Sequence, residues 1–285
     1  MLRIYHTLWT APMTREKVHS TMLCFACSYY FAKRMGAQVV LHADTPGAAM
    51  LSAITYDEVY RDLNDLPRGI APFWAFGKLY ATAREPLGSI HIDGDVFLKN
   101  PRLAELFDGK YDLLVQSEEG EQWRTDNTYQ YSQQAVGQHN LLKGLHIDYP
   151  LAWNAGVTQF LNQELKDTYT EMYFNTVARV LHDDGYSSRV KEIMGAEEVK
   201  GSVIPDVIVE QQCLHELTSI MNKKVKCILS GDIQEDAARI GYAHLLAAAK
   251  YNRVDEIEDL LKRIAPDMLA HIKENEYWKY NTVKE

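Results

Sequence analysis

The sequence lacks the features that mark secreted, disulfide-linked or membrane-spanning proteins. Only four of its 285 residues are cysteines, too few for a disulfide framework in a chain of this length. No apolar stretch is long enough to span a bilayer. The first residues read as a strand and show no signal-peptide pattern. We therefore expect a cytoplasmic location.

The chain also lacks an excess of basic charge. Its 30 lysine and arginine residues are outnumbered by 39 aspartate and glutamate residues, for a net charge of −9. Nucleic acids and anionic membranes need a basic protein face, so neither is expected as the main partner. Peripheral membrane association stays open. A nucleotide is not excluded, because a metal ion and a few local cations can hold one.

The first 116 residues alternate between predicted strands and helices. Strands are predicted at 2–9, 37–42, 89–92 and 111–116, helices at 14–36, 73–84 and 102–107, a turn at 45–47, and a helical or irregular crossover at 57–66. This alternation predicts an α/β fold with a mixed, mostly parallel sheet flanked by helices. In such sheets ligands bind at the carboxyl ends of the strands.

The second half of the sequence is less regular. Strands are predicted at 153–161 and 225–229, helices at 163–181, 210–222 and 253–264, an apolar segment at 203–209, and a polar, amide-rich loop at 122–143. No linker or low-complexity tract divides the chain. The sequence therefore predicts one domain over residues 1–285.

The most informative stretch is residues 90–100, which read Ile-His-Ile-Asp-Gly-Asp-Val-Phe-Leu-Lys-Asn. Asp93 and Asp95 follow an apolar run, so they stand at the carboxyl end of a predicted strand. Two such carboxylates can converge on one divalent cation, which prefers oxygen ligands and can also hold a diphosphate. Gly94 lets the backbone approach a ligand closely. The alternative interpretation is an ordinary Asp-Gly surface turn.

Five segments, taken together and in order, resemble the GT-A glycosyltransferases, and most closely their retaining glycogenin and galactinol-synthase type. The segments are Phe-Trp-Ala-Phe-Gly-Lys at 73–78, Asp-Gly-Asp at 93–95, Trp-Asn-Ala-Gly-Val at 153–157, Glu-Gln-Gln-Cys-Leu-His at 210–215 and His-Leu-Leu-Ala-Ala-Ala-Lys at 244–250. The chain departs from the family's motifs at Gln212, His215 and Ala247.

The resemblance implies a GT-A fold, the Rossmann-like fold of nucleotide-diphospho-sugar transferases. Residues 1–116 would form the nucleotide-binding half and residues 117–250 the acceptor-binding and metal-completing half, followed by C-terminal helices at 251–285. The implied cofactor is Mn²⁺ or Mg²⁺, and an imidazole ligand would favour Mn²⁺.

The resemblance also implies which residues hold the metal and the donor phosphates. Asp95 and His244 would be metal ligands, and Asp93 would be a further ligand or would reach the ribose. Lys250 and Lys78 would contact the phosphates or, for Lys78, the sugar. From the residues alone, His244 fits a satisfied core histidine equally well, and both lysines fit solvent-exposed helix positions.

Further roles are implied for the sugar and the base. Asn154 and Gln211 would hydrogen-bond sugar hydroxyls, with Gln211 next to the anomeric carbon, and they join the two aspartates as the catalytic group. Tyr5 and Thr7, at the end of the first strand, would hold the nucleotide base. Loop capping for Asn154 and a helix N-terminus for Gln211 are the structural alternatives.

The expected function is metal-dependent transfer of a hexose from a nucleotide-sugar donor, by resemblance a UDP-sugar, to a glycan or lipid-linked acceptor with retention. An inverting enzyme would need a carboxylate base, for which Asp206 and Glu210 are the candidates. Two other functions stay open. One is a non-catalytic nucleotide-sugar-binding protein, and the other is a metal-dependent nucleotidyltransferase or phosphohydrolase.

Overall fold

The protein is an α/β protein in which helices flank a mixed, mostly parallel sheet, as the sequence predicts. The computed structural model describes residues 1–71, 73–120, 145–146, 150–182, 206, 208–246 and 249–282. Its strands are β1 (Arg3–Leu8), β2 (Gln38–Ala43), β3 (Glu58–Tyr60), β4 (Ile90–Ile92), β5 (Val96–Leu98), β6 (Leu113–Glu119), β7 (Ala152–Phe160), β8 (Val225–Cys227) and β9 (Tyr242–His244). Its α-helices are α1 (Val18–Arg34), α2 (Thr45–Met50), α3 (Phe76–Arg84), α4 (Gln163–Leu181), α5 (Cys213–Ile220), α6 (Ile233–Ile240), α7 (Ala249–Asn252), α8 (Val254–Ile264), α9 (Pro266–Glu274) and α10 (Glu276–Thr282).

The chain divides into two compact units, each assembled from separate stretches of sequence. The first unit consists of Met1–Leu66, Gly88–Asp108 and Gly231–Glu285, and the second of Pro67–Leu87 and Gly109–Ser230. The halves predicted at 1–116 and 117–250 are assignments of function, and they stay predictions.

In the first unit, four strands run parallel in the order β3-β2-β1-β4. Their carboxyl ends therefore meet at one edge, and the residues of β4 are all buried. Helix α1 buries twelve of its side chains, packs against β5 and contacts α8, α9 and α10. It ends at Arg34, and Gly36 follows with a φ of 75°, a left-handed conformation that suits glycine.

In the second unit, β6 pairs antiparallel with β7 and parallel with β8. Every residue of β7 is buried, which is typical of a strand covered on both faces. Helix α4 packs against α3 and α5. Asn162 caps α4 by accepting a hydrogen bond from the backbone N–H of Leu165 at 3.0 Å.

Two local predictions in the first unit are wrong. The turn expected at 45–47 is the start of helix α2, because the Asp44 side chain accepts a hydrogen bond from the N–H of Gly47 at 2.9 Å and Pro46 lies in the first turn. The helical or irregular crossover expected at 57–66 is wrong at Glu58–Tyr60, which form strand β3, and is confirmed at Asp62–Asp65, which form a 3₁₀-helix. Strand β3 pairs in parallel with β2, and its Glu58 forms an ion pair at 3.3 Å with Arg3 of β1, the next strand beyond β2. Tertiary contacts thus form a strand that has little apolar pattern.

The helix predicted at 210–222 also differs from the structure. The chain forms one π-helical turn at Ile208–Gln212 and becomes α-helical only from Cys213. The predicted helix at 253–264 is confirmed as α8, and Pro266 then begins α9. All four cysteines are free. No helix in the described ranges has both the length and the apolar character needed to cross a membrane.

Candidate metal centre

Asp93 and Asp95 lie in a tight turn directly after β4, in the first unit. The backbone N–H of Val96 donates to the carbonyl of Asp93 at 3.0 Å and closes the turn. Gly94 lies against helix α1, where a Cβ atom would stand 2.2 Å from the ring of Phe25. Only a glycine fits there without displacing the ring, so the packing of α1 sets the position of both carboxylates.

His244 reaches this turn through the antiparallel pairing of β5 with β9. Val96 lies opposite His244, and the backbone N–H of Leu245 donates to the carbonyl of Asp95 at 3.0 Å. Neither short strand is predicted from the sequence. The pairing ties a histidine from the last fifth of the chain to the Asp-Gly-Asp turn.

Three potential ligand atoms, one each from Asp93, Asp95 and His244, all lie within 4.8 Å of one another. His244 Nε2 is 3.4 Å from Asp95 Oδ1. The side chains of Asp95 and His244 are 12% and 8% exposed, whereas that of Asp93 is 32% exposed. Asp95 and His244 are thus buried in the protein, and the cluster is accessible to solvent at Asp93. Two carboxylates and an imidazole are a suitable ligand set for Mn²⁺ and, with the imidazole less favourable, for Mg²⁺.

Lys250, on α7, is the fourth residue of the cluster. Its Nζ lies 2.7 Å from Asp95 Oδ2. Burial would raise the pKa of Asp95, but hydrogen bonds and charges from His244 and Lys250 outweigh burial and hold that pKa well below its ordinary value. Burial would lower the pKa of Lys250, but the charge of Asp95 raises it above its ordinary value. The carboxylate and the ammonium are therefore both charged at neutral pH.

His91 is a neighbour of the cluster that the sequence interpretation overlooks. It is 2% exposed, and its Nε2 is 3.8 Å from Asp93 Oδ1. Its position two residues before Asp93, in a strand where side chains alternate, is the signal that places the two on one face. Phe25, which fills the space beside Gly94, leaves no comparable signal in the sequence.

Tyr5 and Thr7 belong to β1 in the same unit. The Tyr5 ring is 2% exposed and lies 5.9 Å from the ring of His42 and 5.1 Å from that of His91. Thr7 is only partly buried, and its Oγ1 has no hydrogen-bond partner among the described residues. Their role in holding a base stays a prediction, although the buried Tyr5 ring shows that stacking there would need an opening of this layer.

His6, between these two residues, is a core histidine. Its Nδ1 and Nε2 lie 3.0 Å from Tyr56 Oη and Ser28 Oγ, and burial lowers its pKa to about 3. The unfolded chain, with a histidine pKa of about 6.5, therefore binds more protons than the folded protein between pH 6.5 and pH 3. Stability supplied by neutral His6 is complete above pH 6.5 and is lost as the pH falls through this window.

We expect the free energy of unfolding to fall by about 2 kcal/mol when the pH is lowered from 7 to 5, because of His6. Urea unfolding of the wild type and of His6→Gln at both pH values measures it, because the glutamine amide can still donate and accept hydrogen bonds but does not titrate. His271→Gln, on the exposed surface of α9, is the control. An equal pH dependence in the wild type and in His6→Gln would contradict the assignment.

Lys78 lies in the second unit. The alternative interpretation, that this lysine occupies a solvent-exposed helix position, is wrong. The side chain is buried on α3, its Nζ is 2.7 Å from Glu210 Oε1, and it donates to the carbonyl of Ala155 at 2.8 Å. The charge of Lys78 is thus matched inside its own unit. Its contact with donor phosphate stays a prediction.

Asn154 and Gln211 also lie in the second unit. Asn154 stands within β7 rather than in a loop, donates to Glu119 Oε1 at 2.6 Å and accepts from the N–H of Gly156 at 3.0 Å. Gln211 is partly exposed in the π-helical turn that precedes α5. Loop capping is therefore wrong for Asn154, and the contacts of both amides with a sugar stay predictions.

The two carboxylates considered for an inverting base have internal partners. Glu210 is paired with Lys78. Asp206 is fully buried, accepts a hydrogen bond from the Tyr173 hydroxyl, and has its pKa raised well above the ordinary value, chiefly by burial. Neither carboxylate is therefore arranged like a general base, which must reach a proton of the substrate. Ala247 and the amide-rich loop at 122–143 lie outside the described residues.

Comparison with known proteins places the chain in a family. No curated protein and no solved structure matches it significantly. One protein-family model matches residues 2–275, almost the entire sequence, and is described as a family of unknown function, DUF6734. The chain therefore belongs to the DUF6734 family.

Proposed function

We propose that the protein is a GT-A glycosyltransferase that depends on a divalent metal ion and transfers a sugar from a nucleotide-diphosphate donor. The observation that carries the proposal is the convergence of the Asp93 and Asp95 carboxylates with His244, which is far from them in sequence, with ligand atoms within 4.8 Å of one another. The resemblance assigns these same three residues to the metal of that family. The donor we propose is a UDP-sugar, and the acceptor a glycan or a lipid-linked sugar.

The ligand set fits the ion that this function needs. Asp93, Asp95 and His244 would hold Mn²⁺ or Mg²⁺, with the accessible side at Asp93 left for a substrate. The bound ion would supply a Lewis acid for the negative charge that grows on a departing diphosphate. Asp95 is kept ionised by its neighbours, so it is ready to bind a cation at neutral pH.

Lys250 would contribute a fixed positive charge beside the metal ligands. Its ammonium is held 2.7 Å from Asp95 and stays protonated, because Asp95 raises its pKa. A preorganised cation stabilises a leaving diphosphate without reorganisation during the reaction. Lysine suits this role because it acts as a compact point charge on a flexible stem.

The direct test is incubation of the purified protein with Mn²⁺ and a panel of UDP- and GDP-sugars. Release of the nucleoside diphosphate with transfer or hydrolysis of the sugar is the expected result. Release of a nucleoside monophosphate and a sugar 1-phosphate would instead indicate a phosphohydrolase, and formation of a nucleoside triphosphate and a sugar 1-phosphate after pyrophosphate is added would indicate a nucleotidyltransferase. Metal-dependent binding of nucleotide-sugars without turnover of any of them would contradict catalysis and leave a binding protein.

Replacing Lys250 should have opposite effects on metal and nucleotide. In Lys250→Met we expect Mn²⁺ alone to bind roughly tenfold more tightly, because a competing cation beside Asp95 is removed. We expect UDP in the presence of Mn²⁺ to bind roughly tenfold more weakly, because a phosphate contact is lost. Calorimetric titration of each ligand measures both changes.

Lys273→Met is the matched control, since Lys273 also pairs with a carboxylate, Glu258, but on the surface of α9. It should leave both affinities unchanged. Weaker binding of Mn²⁺ alone by Lys250→Met would show that the lysine supports the metal site instead of competing with it.

A further inference from the structure

A cavity lies on the β5–β9 pair, apart from the metal ligands. It has a volume of about 330 Å³, and its walls come from this strand pair and from helix α8 (Val254–Ile264). Its apolar lining consists of Phe97, Ala243, Leu245, Ile257 and Leu260. Protein sites for small ligands start at about 300 Å³, so the cavity is large enough for a small molecule.

The cavity lies on the face of the β5–β9 pair opposite to His244. Phe97 pairs with Ala243, and both line the cavity. Val96 pairs with His244, and neither lines it. Because side chains alternate along a strand, the two pairs point to opposite sides. A ligand here would therefore lie on the side away from His244, and none of the three metal ligands lines the cavity.

The rim of the cavity is charged and has a surplus of positive charge. Three basic and two acidic side chains line it, but Arg253 and Glu256 neutralise each other through hydrogen bonds of 2.9 and 2.5 Å. Lys99 and Arg263 form no ion pair within the described residues, and Asp259 is the one acidic side chain that remains on the rim. In a chain of net charge −9, two cations without an ion-pair partner beside a partly apolar cavity are unusual.

We propose that this cavity binds a small amphipathic anion, a carboxylate with a short apolar chain. The chain would lie on Phe97, Leu245 and Leu260, and the carboxylate would meet Lys99 and Arg263. Burial of the ligand's alkyl chain would supply most of the affinity, because removing each methylene group from water is favourable. The cations would select an anion over a cation of the same shape.

Octanoate is the probe, titrated calorimetrically into the full chain without metal or nucleotide. We expect saturable binding that strengthens by about fourfold for each methylene added from butanoate to octanoate. Octylamine, with the same chain and the opposite charge, should bind at least about tenfold more weakly. Absence of octanoate binding, or equal binding of octylamine, would overturn the proposal.

Surface variants locate the bound anion. Arg263→Gln and Lys99→Gln should each weaken octanoate binding by about fivefold, whereas Lys262→Gln, the neighbouring exposed lysine outside the cavity lining, should not change it. Octanoate affinities that are the same in all three variants would contradict the assigned rim. The result is independent of the proposed transferase function, because neither metal nor nucleotide is present.

Discussion

Asp95→Asn should reduce Mn²⁺ affinity by about a hundredfold or more while the protein stays folded. Asp95 stands at the centre of the cluster, with His244 Nε2 at 3.4 Å and Lys250 Nζ at 2.7 Å from its two oxygens. The amide has the shape of the carboxylate but lacks its charge, and a lost ligand should cost at least as much as the loss of a residue that only orients one. Titration of Mn²⁺ followed by electron paramagnetic resonance measures the change.

Asp267→Asn, an exposed aspartate on α9, is the control and should bind Mn²⁺ like the wild type. Circular dichroism of both variants tests whether the fold is kept, which we expect because Asp95 lies at the end of a turn and not within the apolar core. Unchanged Mn²⁺ affinity in Asp95→Asn would mean that the ion binds elsewhere, and the proposed centre would be wrong.

Gly94→Ala should destabilise the protein by about 3 kcal/mol. The new Cβ would stand 2.2, 2.4 and 2.6 Å from three atoms of the Phe25 ring. That ring cannot move away freely, because it is 7% exposed and packs edge-on against His6 at 5.6 Å. The turn that carries Asp93 and Asp95 would have to shift, so Mn²⁺ affinity should fall as well. Urea unfolding measures the first effect.

Phe25→Leu in the same chain should recover much of the loss. Leucine removes the ring atoms that the new Cβ would meet, so the double variant should be more stable than the sum of the single changes predicts. Gly69→Ala, where a Cβ would meet no atom within 4 Å, is the control and should be nearly neutral. Equal unfolding midpoints for Gly94→Ala and Gly69→Ala would contradict the close packing.

Local patterns were sufficient to predict the framework of the first unit. The apolar runs of β1, β2 and β4 alternate with the long helix α1, and these elements appear close to their expected bounds. Because parallel strands end at one edge of the sheet, the Asp-Gly-Asp turn could be placed before the structure was known.

Tertiary contacts decide what the local patterns did not predict. Strands β5 and β9 are three residues each and exist because they pair with each other, so neither has the length to give a sequence signal. Strand β3 forms by parallel pairing with β2, and the ion pair between Arg3 and Glu58 adds a further tertiary contact. The internal pairing of Lys78 with Glu210 joins residues far apart in sequence, and a lysine on a helix is ordinarily exposed.

The choice between a metal centre and an ordinary ion-pair cluster at Asp93, Asp95 and His244 can be made in one diffraction experiment. Crystals grown with Mn²⁺ and UDP should show a manganese anomalous peak in contact with Asp93, Asp95 and His244, and the UDP diphosphate bound to the same ion. Bound UDP with no peak at these residues, or a manganese peak at other ligands, would contradict the account.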